Sequence, residues 1–349
     1  MKPSNDTFGF CNGLVVVSAV VLVCAACGGK NPSSTESSST GAGGSSGRDA
    51  AVSVGAVSAG GDTGVVASSG GAGTSAIAQA GSASVAPADG GATVTTPDGG
   101  DAPCTVTDAA AICISRAVVS LTHGADTRRI YWATPTTPPP ANGFPAVVLY
   151  QGSFFGPSHT WGVSIPRSTG FGGYYQVALV AKLLDAGFVV VQPEAQGGLF
   201  WDTNNGTDYD TSTDAVFIPD LLSRIGSGEF GPVDTSRLYA TGISSGGYMT
   251  SRMAVSYAGK FRALAIESGS YATCLGPICT IPPTLPADHP PTLFLHGDQD
   301  TIVPIATAKP YYQALQSAGI ETKFDEDPTA THQWLSVAPE DVTGWFLAH

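Results

Sequence analysis

The sequence predicts an α/β domain: a mostly parallel central sheet with helices on both faces. Three observations carry this. Several short runs, such as Ala146-Val147-Val148-Leu149-Tyr150 and Phe188-Val189-Val190-Val191, are apolar without interruption, which marks strands covered on both faces. Segments of helical pattern separate these runs. The connections are short and punctuated by Gly and Pro, and such alternation builds parallel sheets through right-handed crossovers.

The order begins with two short strands, Val118 to Leu121 and Ile130 to Ala133, followed by a Pro-rich loop from Pro135 to Pro140 and the buried strand 146–150. A helix is expected from Tyr175 to Ala186, stopped by Gly187, and the buried strand 188–191 comes next. A helix near Thr213 to Ile225, a strand Arg237 to Thr241, a helix Gly246 to Tyr257 and a strand Ala263 to Glu267 continue the pattern. The strand Thr292 to Leu295, the helix Ala306 to Ala318 ended by Gly319, the strand Thr322 to Asp325 and a helix Pro339 to Leu347 complete it. In sheets of this kind ligands bind beyond the carboxyl ends of the strands, so those loops are where chemistry is to be sought.

The domain occupies 103–349 of the 349 residues. Residues 28–102 are mostly Gly, Ser, Ala, Thr and Val with no Phe, Tyr or Trp. That composition cannot bury enough surface to offset the entropy of ordering, which predicts a disordered linker. Residues 1–27 carry Lys2 and the apolar run "GLVVVSAVVLVCAAC", of about 14 residues, the length of a signal-peptide core and short for a membrane span. Its end, Cys24-Ala25-Ala26-Cys27 before Gly28-Gly29, resembles a bacterial lipobox, with Cys24 where Leu is usual. This implies lipidation of Cys27 and an extracellular or membrane-tethered location; simple cleavage with secretion and a retained anchor helix are the alternatives. With Cys11 and Cys24 removed and Cys27 lipidated, four cysteines remain, and an even number in an exported chain suggests two disulfides. Local pairs are expected, Cys104 with Cys113 and Cys274 with Cys279. No cysteine shows metal-ligand spacing with a histidine, and no metal or cofactor is expected. A net charge of −13 without a basic run argues against nucleic acid or anionic lipid as partner, and a neutral substrate fits better.

The chemistry concentrates in "YATGISSGGYMTSR", Tyr239 to Arg252. Gly242-Ile243-Ser244-Ser245-Gly246 falls between a predicted strand and a predicted helix, where Gly-x-Ser-x-Gly makes a sharp turn that lifts the serine hydroxyl above the sheet. Glycine is needed at 242 and 246 because a Cβ would clash in so tight a fold. Ser244 is therefore the candidate nucleophile. A serine hydroxyl needs a histidine base and an acid to hold the histidine tautomer, and in this arrangement they follow in the order Ser, acid, His. His332, in "TATHQW", is the candidate base, because His349 is the terminal residue. The strand "TLFLHG" delivers "DQD", so Asp298 and Asp300 both qualify as the acid, and His296 is read as structural. A tetrahedral oxyanion requires two donors. Ser245 supplies one backbone amide, and the loop "YQGSFFG" supplies the other, at Ser153. The stretch Asp202 to Asp214 does not match an EF-hand loop and reads as a polar loop with a helix start at its end.

These motifs carry a resemblance. The elbow Gly242-Ile243-Ser244-Ser245-Gly246-Gly247, the acid loop "HGDQDTIVP" and the base loop "HQW" resemble those of extracellular bacterial polyhydroxyalkanoate depolymerases of the α/β-hydrolase superfamily, the medium-chain-length type above all. The resemblance runs from about Pro145 to the end. It implies the α/β-hydrolase fold and cleavage of a water-insoluble polyester through a Ser-His-Asp acyl-enzyme. It also favours Asp300 as the acid, through the His-Gly-x-x-Asp-x-x-Val pattern. Many relatives carry His-Gly where this chain has Gln151-Gly152, which leaves the second oxyanion donor open. Short-chain depolymerases usually append a polymer-binding domain. This chain stops at His349, which fits the type that adsorbs through an apolar surface of the catalytic domain. Phe154, Phe155, Trp161, Phe171, Phe200 and Trp201, on loops after the third and fourth strands, are candidates for that surface, and Trp334 of the base loop joins Phe154, Phe155 and Trp201 as a candidate substrate contact. Two other functions remain open: a feruloyl or acetyl carbohydrate esterase, and a non-catalytic lipoprotein that binds polymer with an inert hydrolase fold.

Overall fold

The computed structural model describes residues 103–349 except 207, 276 and 277. The expected signal segment, the Cys27 site and the linker 28–102 lie outside the described residues.

A small antiparallel sheet opens the domain: β1 (Cys104–Val106), β2 (Ala110–Cys113) and, later in the chain, a two-residue strand at Ile165–Pro166. These pieces have too little apolar periodicity to be read from the sequence. β3 (Ala117–His123) and β4 (Asp126–Ala133) form an antiparallel hairpin, and β5 (Phe144–Tyr150) starts the parallel part. With Ile165–Pro166 counted as β6, the chain continues through α1 (Gly173–Asp185), β7 (Val189–Pro193), α2 (Thr213–Gly226) and β8 (Val233–Ile243). It then runs through α3 (Ser245–Ser256), β9 (Ala263–Glu267), β10 (Thr292–Gly297), α4 (Ile305–Ser317), β11 (Thr322–Asp327) and α5 (Ala338–Ala348).

The main sheet has eight strands in the order β11-β10-β9-β8-β5-β7-β4-β3, parallel from β11 to β7 and antiparallel at the β4 and β3 edge. This is the α/β-hydrolase fold. After β5 the chain steps to β7 on one side, then returns through α2 to β8 on the other. The carboxyl ends of β5 and β8 therefore meet at the topological switch point, where a ligand crevice is expected.

Successive side chains of β5 feed opposite cores, as the two-residue period of a strand requires. Val147 and Leu149 pack with Val177 and Val180 of α1 and Phe346 of α5. Ala146, Val148 and Tyr150 pack with Phe217 and Ile218 of α2 and Met249 and Met253 of α3. A third cluster joins α4 to β9 and β10 through Tyr311, Leu315, Ile266 and Phe294. Every residue of β5, β7, β9 and β10 is buried, which explains their unbroken apolar runs.

Cys104 is joined to Cys113 across the β1–β2 pair, and Cys274 to Cys279 in the loop after β9. The polar stretch 202–214 ends in a helix start: Ser212 caps α2 by accepting from the Ala215 amide at 3.2 Å. Asp214 is turned inward onto the fully buried Arg128, which also bonds Asp126 Oδ2 at 2.7 Å and Thr213 Oγ1 at 2.8 Å. A buried guanidinium needs such partners to offset its desolvation.

Candidate active site

Ser244 stands between β8 and α3 with φ 58° and ψ −123°, a conformation that costs a non-glycine residue free energy and persists only where its surroundings impose it. They do so here. A Cβ on Gly242 would lie 2.6 Å from the carbonyl oxygens of Gly246 and Tyr150, and one on Gly246 would collide with the Tyr150 carbonyl. The Ser244 amide donates to the Glu267 carbonyl of β9 at 3.1 Å, and the Tyr248 amide donates back to the Ser244 carbonyl at 3.0 Å. Ser244 is thereby held at the carboxyl edge of the sheet and is only partly buried.

The acid and base come from the loops after β10 and β11. Asp300 Oδ2 lies 2.8 Å from His332 Nδ1, and both residues are buried. A carboxylate facing Nδ1 fixes the proton there and leaves Nε2 with its lone pair, the tautomer a general base requires. Asp300 Oδ1 accepts from the amides of Ile302 at 2.9 Å and Val303 at 2.8 Å. His296, at the end of β10, places Nε2 2.8 Å from the Val303 carbonyl and 3.4 Å from Asp300 Oδ2, so it donates and braces the acid. Burial pushes the Asp300 pKa up, but hydrogen bonds from His296, His332 and the Val303 amide outweigh it and hold the carboxyl below the usual carboxylate range. Asp298 is exposed and its amide is tied to the Asp327 carbonyl at 2.8 Å, so of the two candidates it is Asp300 that meets His332.

The His332 loop is fastened on two sides. Leu335 donates its amide to Glu267 Oε1 at 2.8 Å, and the Trp334 amide donates to the Phe171 carbonyl at 3.1 Å. Glu267 is fully buried, and that burial raises its pKa well above the usual carboxylate value against the lowering effect of the Leu335 amide. One residue of β9 thus touches both halves of the site: its carbonyl holds the elbow and its side chain holds the base loop. Sequence reasoning missed Glu267, because only the adjacency of β9 to β8 shows its use.

The two candidate oxyanion donors lie on neighbouring loops, after β5 and at the start of α3. Among the described residues neither the Ser153 amide nor the Ser245 amide has a hydrogen-bond acceptor. Gln151, where many relatives have His, is fully buried: its Oε1 accepts from the Ala195 amide at 3.0 Å and its Nε2 donates to the Gly198 carbonyl at 3.2 Å. It acts as a bracket between the loops after β5 and β7.

The aromatic candidates divide. Trp201 is 0% exposed, its ring set edge-on to Tyr150 with centroids 5.1 Å apart, and Trp334 is 1% exposed in the α1–α5 core. Neither can touch a polymer, which corrects the expectation of a substrate contact for both; their indoles fill the core beneath the loops instead. Trp161 is also buried. Phe154 is 38% exposed, and Phe155 and Phe171 are partly exposed. The Phe171 ring stands edge-on to His332 at 6.4 Å and packs with Phe155 at 5.3 Å, so an aromatic rim borders the base. Phe154 and Phe171 also have positive φ, 68° and 57°, an uncommon state for bulky residues that clusters at functional sites. Among the described residues no group of His, Cys, Asp and Glu could hold a metal ion.

Similarity to known proteins now bears on this geometry. The profile of the prolyl oligopeptidase family matches residues 175–275, from α1 through the elbow to the loop after β9. The chain is 52% identical over 225 residues to the poly(3-hydroxyoctanoate) depolymerase of Pseudomonas fluorescens, which covers 64% of this chain and 80% of that protein. The chain belongs to the poly(3-hydroxyoctanoate) depolymerase family. It is an ester hydrolase. It is also 34% identical over 122 residues to acetylxylan esterase A of Aspergillus awamori, across 32% of this chain and 38% of that enzyme. Among solved structures it is similar to Thermogutta terrifontis esterase 2, with TM-score 0.45 and 17% identity over 66% of this chain and 90% of that one.

Proposed function

We propose that this family member is an exported serine esterase that cleaves the ester bonds of an aliphatic polyhydroxyalkanoate, one with medium-length side chains, through an acyl-enzyme formed on Ser244. The observation that carries this is the Asp300–His332 pair at 2.8 Å, in the same chain as a strained Ser244 elbow and in the required order along the sequence. In the proposed reaction His332 Nε2 takes the Ser244 proton as Oγ attacks the ester carbonyl. The oxyanion is held by the Ser245 and Ser153 amides. Collapse breaks the C–O bond, the alcohol end leaves with the proton from His332, and water repeats the sequence to free the acid end.

The 52% identity to a poly(3-hydroxyoctanoate) depolymerase supports the choice of substrate. The exposed Phe154, with the partly exposed Phe155 and Phe171 that border the base, offers the apolar contact that a neutral polymer needs. Residues 1–27 would direct export, with lipid on Cys27, and 28–102 would tether the catalytic domain 103–349. Partial similarity to acetylxylan esterase A favours a second reading, deacetylation of xylan. Opaque plates of poly(3-hydroxyoctanoate), poly(3-hydroxybutyrate) and feruloylated xylan, with acetate release from acetylated xylan measured alongside, separate them. Clearing of the octanoate polymer first is the expected result, and release of acetate with no clearing would overturn the polyester reading.

A further inference from the structure

Trp201 joins the two loops that carry the candidate oxyanion donors. Its backbone amide donates to Ser245 Oγ at 2.9 Å, and its indole Nε1–H donates to the Gln151 carbonyl at 3.1 Å. One buried residue thereby holds the start of α3 and the loop after β5 to a common wall. We propose that Trp201 is the positioning residue of the oxyanion hole, fixing the separation of the Ser153 and Ser245 amides without touching substrate. This rests on the Ser244 mechanism proposed above.

The backbone shows why such a brace matters. Gly152 lies between Gln151 and Ser153, and glycine leaves the peptide planes on either side free to rotate. The plane before it is pinned by the indole through the Gln151 carbonyl. The plane after Ser153 is pinned as well, because the Phe154 amide donates to the Leu199 carbonyl at 2.7 Å. The Ser153 amide shares its plane with the Gly152 carbonyl, which accepts weakly from the Phe155 amide at 3.3 Å and from Gln151 Nε2 at 3.4 Å, and among the described residues nothing accepts the Ser153 hydrogen. Trp201 itself is held from below. The next amide, of Asp202, donates to Asp214 Oδ2 at 2.6 Å, Asp214 is paired with Arg128, and the Arg128 guanidinium lies 5.9 Å from the Trp201 ring centre. Oxyanion stabilisation depends on donors that are already in place when charge develops. A displacement of about 1 Å in such a site costs about 100-fold in rate.

The test removes the indole donor. Trp201→Phe keeps an aromatic ring against Tyr150 and removes the bond to Gln151. Incorporation of benzothienylalanine at 201 keeps the bicyclic shape and removes only the N–H, so it decides the matter if the Phe variant does not fold. With p-nitrophenyl octanoate as substrate, kcat should fall by about 10- to 100-fold with KM within about twofold. The affinity for octylboronic acid, which becomes tetrahedral on the serine, should weaken by the same factor. Unchanged kcat and boronate affinity would overturn the proposal even if the melting temperature drops, and so would a fall in kcat with boronate affinity retained. Failure of the Ser244 mechanism would look different: wild-type enzyme would not bind the boronate, and Ser244→Ala would remain active.

Discussion

At the scale of single residues, the two carboxyls around the base work in opposite senses. Asp300 is held below the usual carboxylate range, so it stays charged and keeps the His332 proton on Nδ1. Asp300→Asn presents an amide that favours the wrong imidazole tautomer, and kcat should fall by about 10⁴. Asp298→Asn, at an exposed position, should be much milder; the reverse ranking in steady-state assays would move the acid to Asp298. Burial raises the Glu267 pKa well above the usual carboxylate value. A raised carboxyl pKa means that the folded state binds the proton more tightly, so its stability contribution is present below the unfolded value of about 4.3 and is lost as pH rises toward the folded value. Glu267→Gln keeps an oxygen for the Leu335 amide and removes the titration. The variant should gain melting temperature relative to wild type at pH 7 to 8 and lose that gain near pH 4, and thermal melts across this range would show it.

At the scale of elements, the main strands and helices were legible because each central strand is buried on both faces and reads as an unbroken apolar run. The order of Ser244, Asp300 and His332 was legible too, since each lies in the loop or turn that follows a strand of the sheet. What could not be read were relations across the sheet. Glu267 meets Leu335 across 68 positions, and Trp201 meets Gln151 across 50. An aromatic in a loop gives no sign, from sequence alone, of whether it points out or in. For that reason Phe154 and Trp201 looked equivalent, yet one is exposed and the other lies in the core. The small sheet β1–β2–β6 leaves no pattern in the sequence because its strands are two to four residues long. The disulfides that brace these peripheral parts span nine and five positions. Closing such short loops contributes about 2 to 3 kcal/mol each in the chain-entropy model. Reduction should lower the melting temperature without unfolding the domain, and non-reduced peptide mapping should return Cys104 with Cys113 and Cys274 with Cys279. A Cys104–Cys274 peptide would contradict this pairing.

At the scale of the whole molecule, polymer attack requires a water-insoluble chain to reach a serine at the sheet's edge. Residues 28–102 contain no aromatic side chain, and a charge of −13 offers a neutral polyester nothing, so the expected attraction is apolar contact from the catalytic domain. Burying a large apolar side chain contributes about 1.5 to 3 kcal/mol. Phe154→Ala should therefore slow release of acid from polymer granules more than hydrolysis of p-nitrophenyl octanoate, and a chain truncated to 103–349 should adsorb as well as the full one. If the truncated chain hydrolyses the soluble ester but no longer adsorbs, the preceding segment, or a lipid carried on it, is the binding element. The most direct test of the whole is the attachment site of a serine-reactive alkyl phosphonate, located by peptide mass. Stoichiometric labelling of Ser244, with loss of clearing on poly(3-hydroxyoctanoate) in proportion to the label, is the expected result. Label on Ser245, or full clearing by the Ser244-labelled protein, would contradict it.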